Sequence, residues 1–119
     1  MSFQATVRHN RDVAVIDLSG RLVLGEDSQT LRDAILGLIL EGERKILLNL
    51  KDVTQVDSAG LGEMCAACTN VTNAGGEVRL VTPVRIHGQM EVTGLSNVFA
   101  DYPDEGAAAE SFRREPTKV

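Results

Sequence analysis

The chain has 119 residues, with 17 acidic against 12 basic side chains and a net charge of −5. That length suits one domain and is too short for two, and the acidic balance argues against sequence-independent nucleic-acid binding, which needs a basic surface. No apolar run approaches the roughly 20 residues that cross a bilayer, because Ala34 to Leu40 is interrupted by Gly37 and closed by Glu41. Met1-Ser2-Phe3-Gln4 has neither the charged start nor the apolar core of a signal peptide. A cytosolic protein is expected.

Phe3 to His9 reads as an edge strand and Asn10-Arg11-Asp12 as a turn. Val13 to Leu18 is mostly apolar and suits a central strand, so the two strands form a hairpin. Gly20 to Asp27 reads as a loop. Ser28 or Asp27 caps a helix that runs to about Glu41. Leu31, Ala34, Ile35, Leu38 and Ile39 share one face of that helix, whereas Leu36 and Leu40 lie off the stripe. A second apolar surface of this kind is covered by neighbouring loops or by a partner, a second copy of the chain included. Ile46 to Leu50 is the next strand, and Lys51 to Val56 is a link. A helix from Ala59 to about Ala74 stops at Asn73-Ala74-Gly75-Gly76. Glu77 to Val81 is a strand, Pro83 starts a helix that ends near Gly94, and Val98-Phe99 is a short strand. Pro103-Asp104 leads into a last helix from about Glu105 to Phe112, and Arg113 to Val119 is expected to be a disordered tail. Strands alternating with helices predict an α/β domain over residues 1–112. Its sheet is mixed and largely parallel, with about five strands and about four helices.

Asp57-Ser58-Ala59-Gly60-Leu61-Gly62 is the most informative stretch. It joins an apolar strand to a helix and sets Ser58 at or next to the helix N-cap. Gly60 and Gly62 follow at once, and residues without side chains let another backbone come close. A hydroxyl at such a junction has the positive end of a helix behind it, a favourable field for an added negative group. Taken alone, the same residues also describe an ordinary capping serine in a strand-to-helix turn.

Val56 to Gly62, with the strand before it, resembles the signature of the STAS domain, whose best-known members are the bacterial anti-sigma-factor antagonists. Leu18-Ser19-Gly20-Arg21-Leu22, Val84 to Leu95 with its Thr93-Gly94-Leu95, and Gly106 to Glu110 match as well. The resemblance spans about Phe3 to Phe112 and implies a single STAS-like domain. It implies a protein-binding switch rather than an enzyme. The family's phosphorylated serine falls on Ser58. The implied partner is both an anti-sigma factor and a serine kinase of the histidine-kinase-like ATPase type, with ATP and Mg²⁺ bound on the partner. The unphosphorylated chain would hold that partner and free a sigma factor, and the phosphorylated chain would release it. A phosphoserine phosphatase would reset the switch. The expected partner-binding residues are Asp57, Ser58, Ala59, Gly60, Gly62 and Glu63. Relatives usually carry a second hydroxyl where Ala59 stands, so Ser58 is left as the acceptor, and Glu63 takes a position that is often apolar. No cofactor, metal, nucleic acid or membrane is expected for this chain. A different role within the family is that of a STAS subunit that is never phosphorylated, beside the ATPase of a lipid-transport ABC system.

Cys65-Ala66-Ala67-Cys68 has the spacing of a dithiol redox motif, but a reactive pair works at a helix N-terminus, where the dipole lowers the thiol pKa. These cysteines lie well inside the helix, on a stripe with Leu61 and Thr72, and are expected to pack against the sheet. A zinc site drawing on His9 and His87 fits no compact ligand spacing. His87 is not placed near Ser58 as a base, and no acidic partner is identifiable for it. Gly60-Leu61-Gly62 lacks the lysine and length of a phosphate loop. Glu26 and Asp27 complement a helix start more simply than they join Asp57 in a metal cluster.

Overall fold

Val13-Ala14-Val15-Ile16 and Ile46-Leu47-Leu48 are the chain's two densest β-branched and aliphatic runs. Every residue in both is buried in the computed structural model, which describes residues 3–23, 28–82 and 100–113. Burial on both faces is what strands between two layers of helix require. The strands are β1 (Gln4–Asn10), β2 (Val13–Leu22), β3 (Lys45–Val56), β4 (Glu77–Val81) and β5 (Ala100–Tyr102). They form a single sheet in that order. β1 and β2 are an antiparallel hairpin, and β2 to β5 are all parallel to one another. The described helices are α1 (Ser28–Leu40), α2 (Ser58–Asn73) and α3 (Glu105–Arg113).

Alternation along the strands sorts the core into two layers. Ile16, Leu18, Ile46, Leu48 and Leu80 point to the face covered by α1 and α2, where they meet Leu31, Ile35, Leu38, Leu61, Met64 and Val71. Val13, Val15, Leu47 and Val81 point the other way and pack against Ala108 and Phe112 of α3. The stripe foreseen on α1 is observed: Leu31, Ile35 and Leu38 are buried, and Ala34 and Ile39 pack at its margin. Leu36 and Leu40 are left 40% and 87% exposed.

Two segments read as irregular are strand. β2 continues past Leu18 to Leu22, and β3 runs unbroken through Lys51 to Val56. The ladder between them shifts register between Asp17 and Ser19 and again between Gly20 and Arg21. Gly20 takes φ 93°, which a residue with a side chain tolerates poorly. These irregularities break the period of two, so that Val53 and Val56 are both buried although three residues apart. That lost alternation is why the segment resembles a loop in sequence. The last helix includes Arg113, where the tail was expected to begin. The expected helix from Pro83 to Gly94 and the pair Val98-Phe99 lie outside the described residues, as do residues 114–119.

Polar contacts add to the apolar packing of Ala108 and Phe112 in holding α3 on its face of the sheet. Asp104 caps it, its Oδ1 accepting from the Ala107 N–H at 2.8 Å. Arg8 on β1 donates to Asp17 on β2 and to Glu105 at the start of α3. Asn49 donates to Asp17 at 2.8 Å and Asn10 to Glu105 at 2.9 Å. At the other end, Arg79 donates to Ser111 Oγ at 3.0 Å and lies 4.5 Å from the centroid of the Phe112 ring.

Hydrogen bonds from Arg8 hold the carboxyls of Asp17 and Glu105 below their ordinary range, with burial acting in the opposite direction. Groups with depressed folded-state pKa values stabilise fully above their unfolded values and lose that contribution as the pH falls through the folded ones. The pairs are partly exposed, so Arg8→Ala is expected to cost about 1 kcal/mol or less for each. Thermal melts from pH 7 downward should show the gap between wild type and Arg8→Ala narrowing below about pH 4, where the carboxyls take up protons. A gap that stays constant would assign the effect to packing of the arginine stem.

Candidate functional site

β3 ends at Val56 and the chain turns at Asp57, whose backbone is extended at φ −108° and ψ −179°. Its N–H donates to the Leu22 carbonyl at 3.3 Å, and its Oδ1 accepts from the Gly60 N–H at 2.8 Å. Asp57 is therefore the N-cap of α2, and Ser58 is the first helical residue rather than the cap. The expected helix start at Ala59 is one residue too late, because serine and aspartate are both good caps. Ser58 is exposed at this corner.

Gly60 is buried, and a side chain there is impossible in this packing. A Cβ would lie 1.9 Å from the Leu22 carbonyl oxygen and 2.7 Å from its carbon. Its missing side chain serves the contact between α2 and the end of β2, so Gly60 leaves the set of surface residues expected to meet a partner. Gly62 is exposed, and a Cβ added there would meet nothing within 4 Å. Leu61, 1% exposed, anchors the turn to the core. Asp57, Ala59 and Glu63 are half-buried. Glu63 is bonded through both carboxylate oxygens to Arg32 Nη2 of α1, each at 2.8 Å. Among the described residues, the surface at the start of α2 is thus Ser58 and Gly62, bordered by Asp57, Ala59 and the Arg32–Glu63 pair.

Two residues of this corner were not foreseen. Leu22 belongs to a stretch that matched the family motif, but its role is carried by a backbone oxygen, which no side-chain pattern reports. Arg32 pairs with a residue 31 positions away, and the only signal was that Glu63 departs from the usual apolar type.

The buried face of α2 is Gly60, Leu61, Met64, Ala67, Cys68 and Val71. Cys68 packs as expected, whereas Cys65 lies at the margin of the core and Thr72 is exposed, with its hydroxyl returned to the Cys68 carbonyl at 3.1 Å. Burial, with a smaller push from Cys65, raises the Cys68 thiol to about 12, and burial raises Cys65 as well. Reactive thiols need the opposite shift. His9 pairs with Glu43 at 2.8 Å, while His87, Glu26 and Asp27 lie outside the described residues. Among the described residues no group of three or more His, Cys, Asp or Glu is placed to hold a metal, and no helix is long and apolar enough to cross a membrane.

The family model of the STAS domain matches residues 4–108. The chain belongs to the STAS domain family. Its fold is shared with an anti-sigma factor antagonist from Mycobacterium paratuberculosis at 22% identity and a TM-score of 0.81, covering 94% of this chain and 95% of that one. The anti-sigma factor antagonist SpoIIAA in its unphosphorylated form aligns at 21% identity with a TM-score of 0.67, over 97% of this chain and 100% of the other. The phosphorylated form of the Bacillus cell fate determinant SpoIIAA aligns at 23% identity and a TM-score of 0.64, over 92% and 98%.

The two glycines of the motif should respond in opposite ways. Gly60→Ala forces α2 off the Leu22 carbonyl and is expected to cost about 3 kcal/mol or more. Gly62→Ala meets open space in a helix and should be neutral or stabilising by up to about 1 kcal/mol. Urea titration of both variants measures the contrast, and equal effects would contradict the packing described.

The thiols give an independent check. In the native protein Cys68 should alkylate far more slowly than Cys65, and both should react quickly once denatured. Replacing the pair with alanine is expected to cost on the order of 1 kcal/mol or more at the buried site.

Proposed function

We propose that this STAS domain is an anti-sigma-factor antagonist switched by phosphorylation of Ser58. The observation that carries the reading is the exposed hydroxyl at the first position of α2, directly after the Asp57 cap. Membership of the STAS family supports it. The partner is an anti-sigma factor that is also a serine kinase of the histidine-kinase-like ATPase type, carrying the ATP and Mg²⁺ itself. A phosphoserine phosphatase reverses the modification. The chain is not itself an enzyme, and it acts in the cytoplasm.

The mechanism is electrostatic and local. Phosphate adds about −1.5 to −2 charge at neutral pH. The helix start offers only about half a positive charge, and Asp57 already occupies the Gly60 N–H. The added charge is compensated in part, enough for the fold to persist. A partner surface matched to a neutral hydroxyl beside Asp57, Ala59 and Gly62 meets uncompensated charge and bulk, and dissociates.

Intact-mass analysis of the protein from its own host, with the phosphosite mapped, tests the first half. One phosphate on Ser58 is expected, and labelling that persists in Ser58→Ala would refute the assignment. Ser58→Asp tests the second half. A carboxylate in the first turn suits the helix, so the stability should change by less than about 1 kcal/mol while partner affinity falls. Unchanged partner affinity would count against the switch, and constitutive binding to a transport ATPase, insensitive to Ser58→Asp, would replace it with a structural role.

A further inference from the structure

The first turn of α2 is weak by composition. Ser58 to Gly62 contains two glycines, which are poor helix formers, and Gly62 faces open space with no packing to hold it. From below, the turn is fixed by the Asp57 cap and by buried Leu61. Gly60 adds a further hold, seated against the Leu22 carbonyl at the end of β2, and Leu61 shares the core with Leu31 and Ile35 of α1, but none of these is a polar contact from the turn to α1. One residue beyond Gly62, Glu63 receives both of its carboxylate contacts from Arg32 of α1, at 2.8 Å each. A carboxylate near a helix start is favourable whatever its neighbours, so the helix field alone does not require a partner for Glu63. The partner it has comes from the helix packed alongside.

We infer that Arg32 and Glu63 are a positioning pair that holds the first turn of α2, and with it Ser58, in one orientation against α1. The consequence for Ser58 rests on the phosphorylation reading above, whereas the strut between the helices does not. Arg32 is 43% and Glu63 26% exposed, and pairs at such exposure add little to overall stability. The effect of the pair is therefore local. Removing it loosens the turn and leaves the melting temperature within a few degrees of wild type.

Four full-length proteins test this: wild type, Arg32→Gln, Glu63→Gln, and the exchange of charges Arg32→Glu with Glu63→Arg. Two amides report the turn directly. Gly60 N–H bonds to Asp57 Oδ1 at 2.8 Å and Leu61 N–H to the Asp57 carbonyl at 2.9 Å. Residue-resolved hydrogen exchange should quicken at both amides by about threefold or more in each single variant, with the β3 amides unchanged. The charge exchange should return them to within about twofold of wild type. In parallel, transfer of phosphate from γ-labelled ATP to Ser58 in an extract of the source cells should slow by about threefold or more in each single variant and recover in the exchange. Unchanged amide exchange in the single variants overturns the strut. Amide exchange restored by the swapped charges without restored labelling also overturns the inference, because the kinase would then read the charges themselves. If wild type takes no label on Ser58, the phosphorylation reading and the Ser58 half of the inference fall together, while the amide data still decide the strut.

Discussion

The carbonyl oxygen of Leu22 occupies the space where a side chain at position 60 would begin, and the geometry of the candidate site depends on that contact. It requires glycine at 60, because a Cβ would stand 1.9 Å from the oxygen. It also requires β2 to run on to Leu22, past its two register shifts. The same carbonyl accepts from the Asp57 N–H. One backbone group therefore ties the end of β2 to the turn after β3 and to the first turn of α2. Ser58 lies between those two attachment points, so main-chain contacts place this corner on β2, leaving its orientation against α1 to the pairing inferred for Arg32 and Glu63.

Around that hydroxyl the charges are unequal. Asp57 is committed to capping, and Glu63 is answered by Arg32. The helix start supplies about half a positive charge, less than one carboxylate and much less than a phosphate. Under the proposed phosphorylation, a group of about −1.5 to −2 charge would exceed what the helix start can offset.

The two faces of the sheet are held by different means. α1 and α2 close a continuous apolar layer over one face. α3 covers the other through a smaller apolar contact, bounded by Arg8 at one end and Arg79 at the other. Asp17 and Asn49 stand on interior strands of that second face, where their hydrogen bonds to each other and to Arg8 satisfy groups that would otherwise be costly to cover.

Much of this was legible in the residues. The runs at Val13 and Ile46, the 3.6-residue stripe of α1, the stop at Gly75-Gly76 and the strand Glu77–Val81 all report local periodicity or local breakers, which a sequence states directly. The motif around Ser58 located the corner for the same reason, since caps and glycines cluster at helix starts. The strand character of Lys51 to Val56 was hidden because register shifts erase alternation. The inward role of Gly60 and the pairing of Glu63 were hidden for a further reason. A glycine's neighbour and a carboxylate's partner are long-range facts, contributed here by Leu22 and Arg32 from elements distant in the chain. The elements from β1 to β4, the helix after Pro103-Asp104 and the choice of Ser58 were therefore legible in the sequence alone, whereas the strand Ala100–Tyr102 was not. Which glycine is packed, which residue caps, and which arginine answers Glu63 were decided only when β2, α1 and α2 came together, because those contacts join groups that no local pattern links.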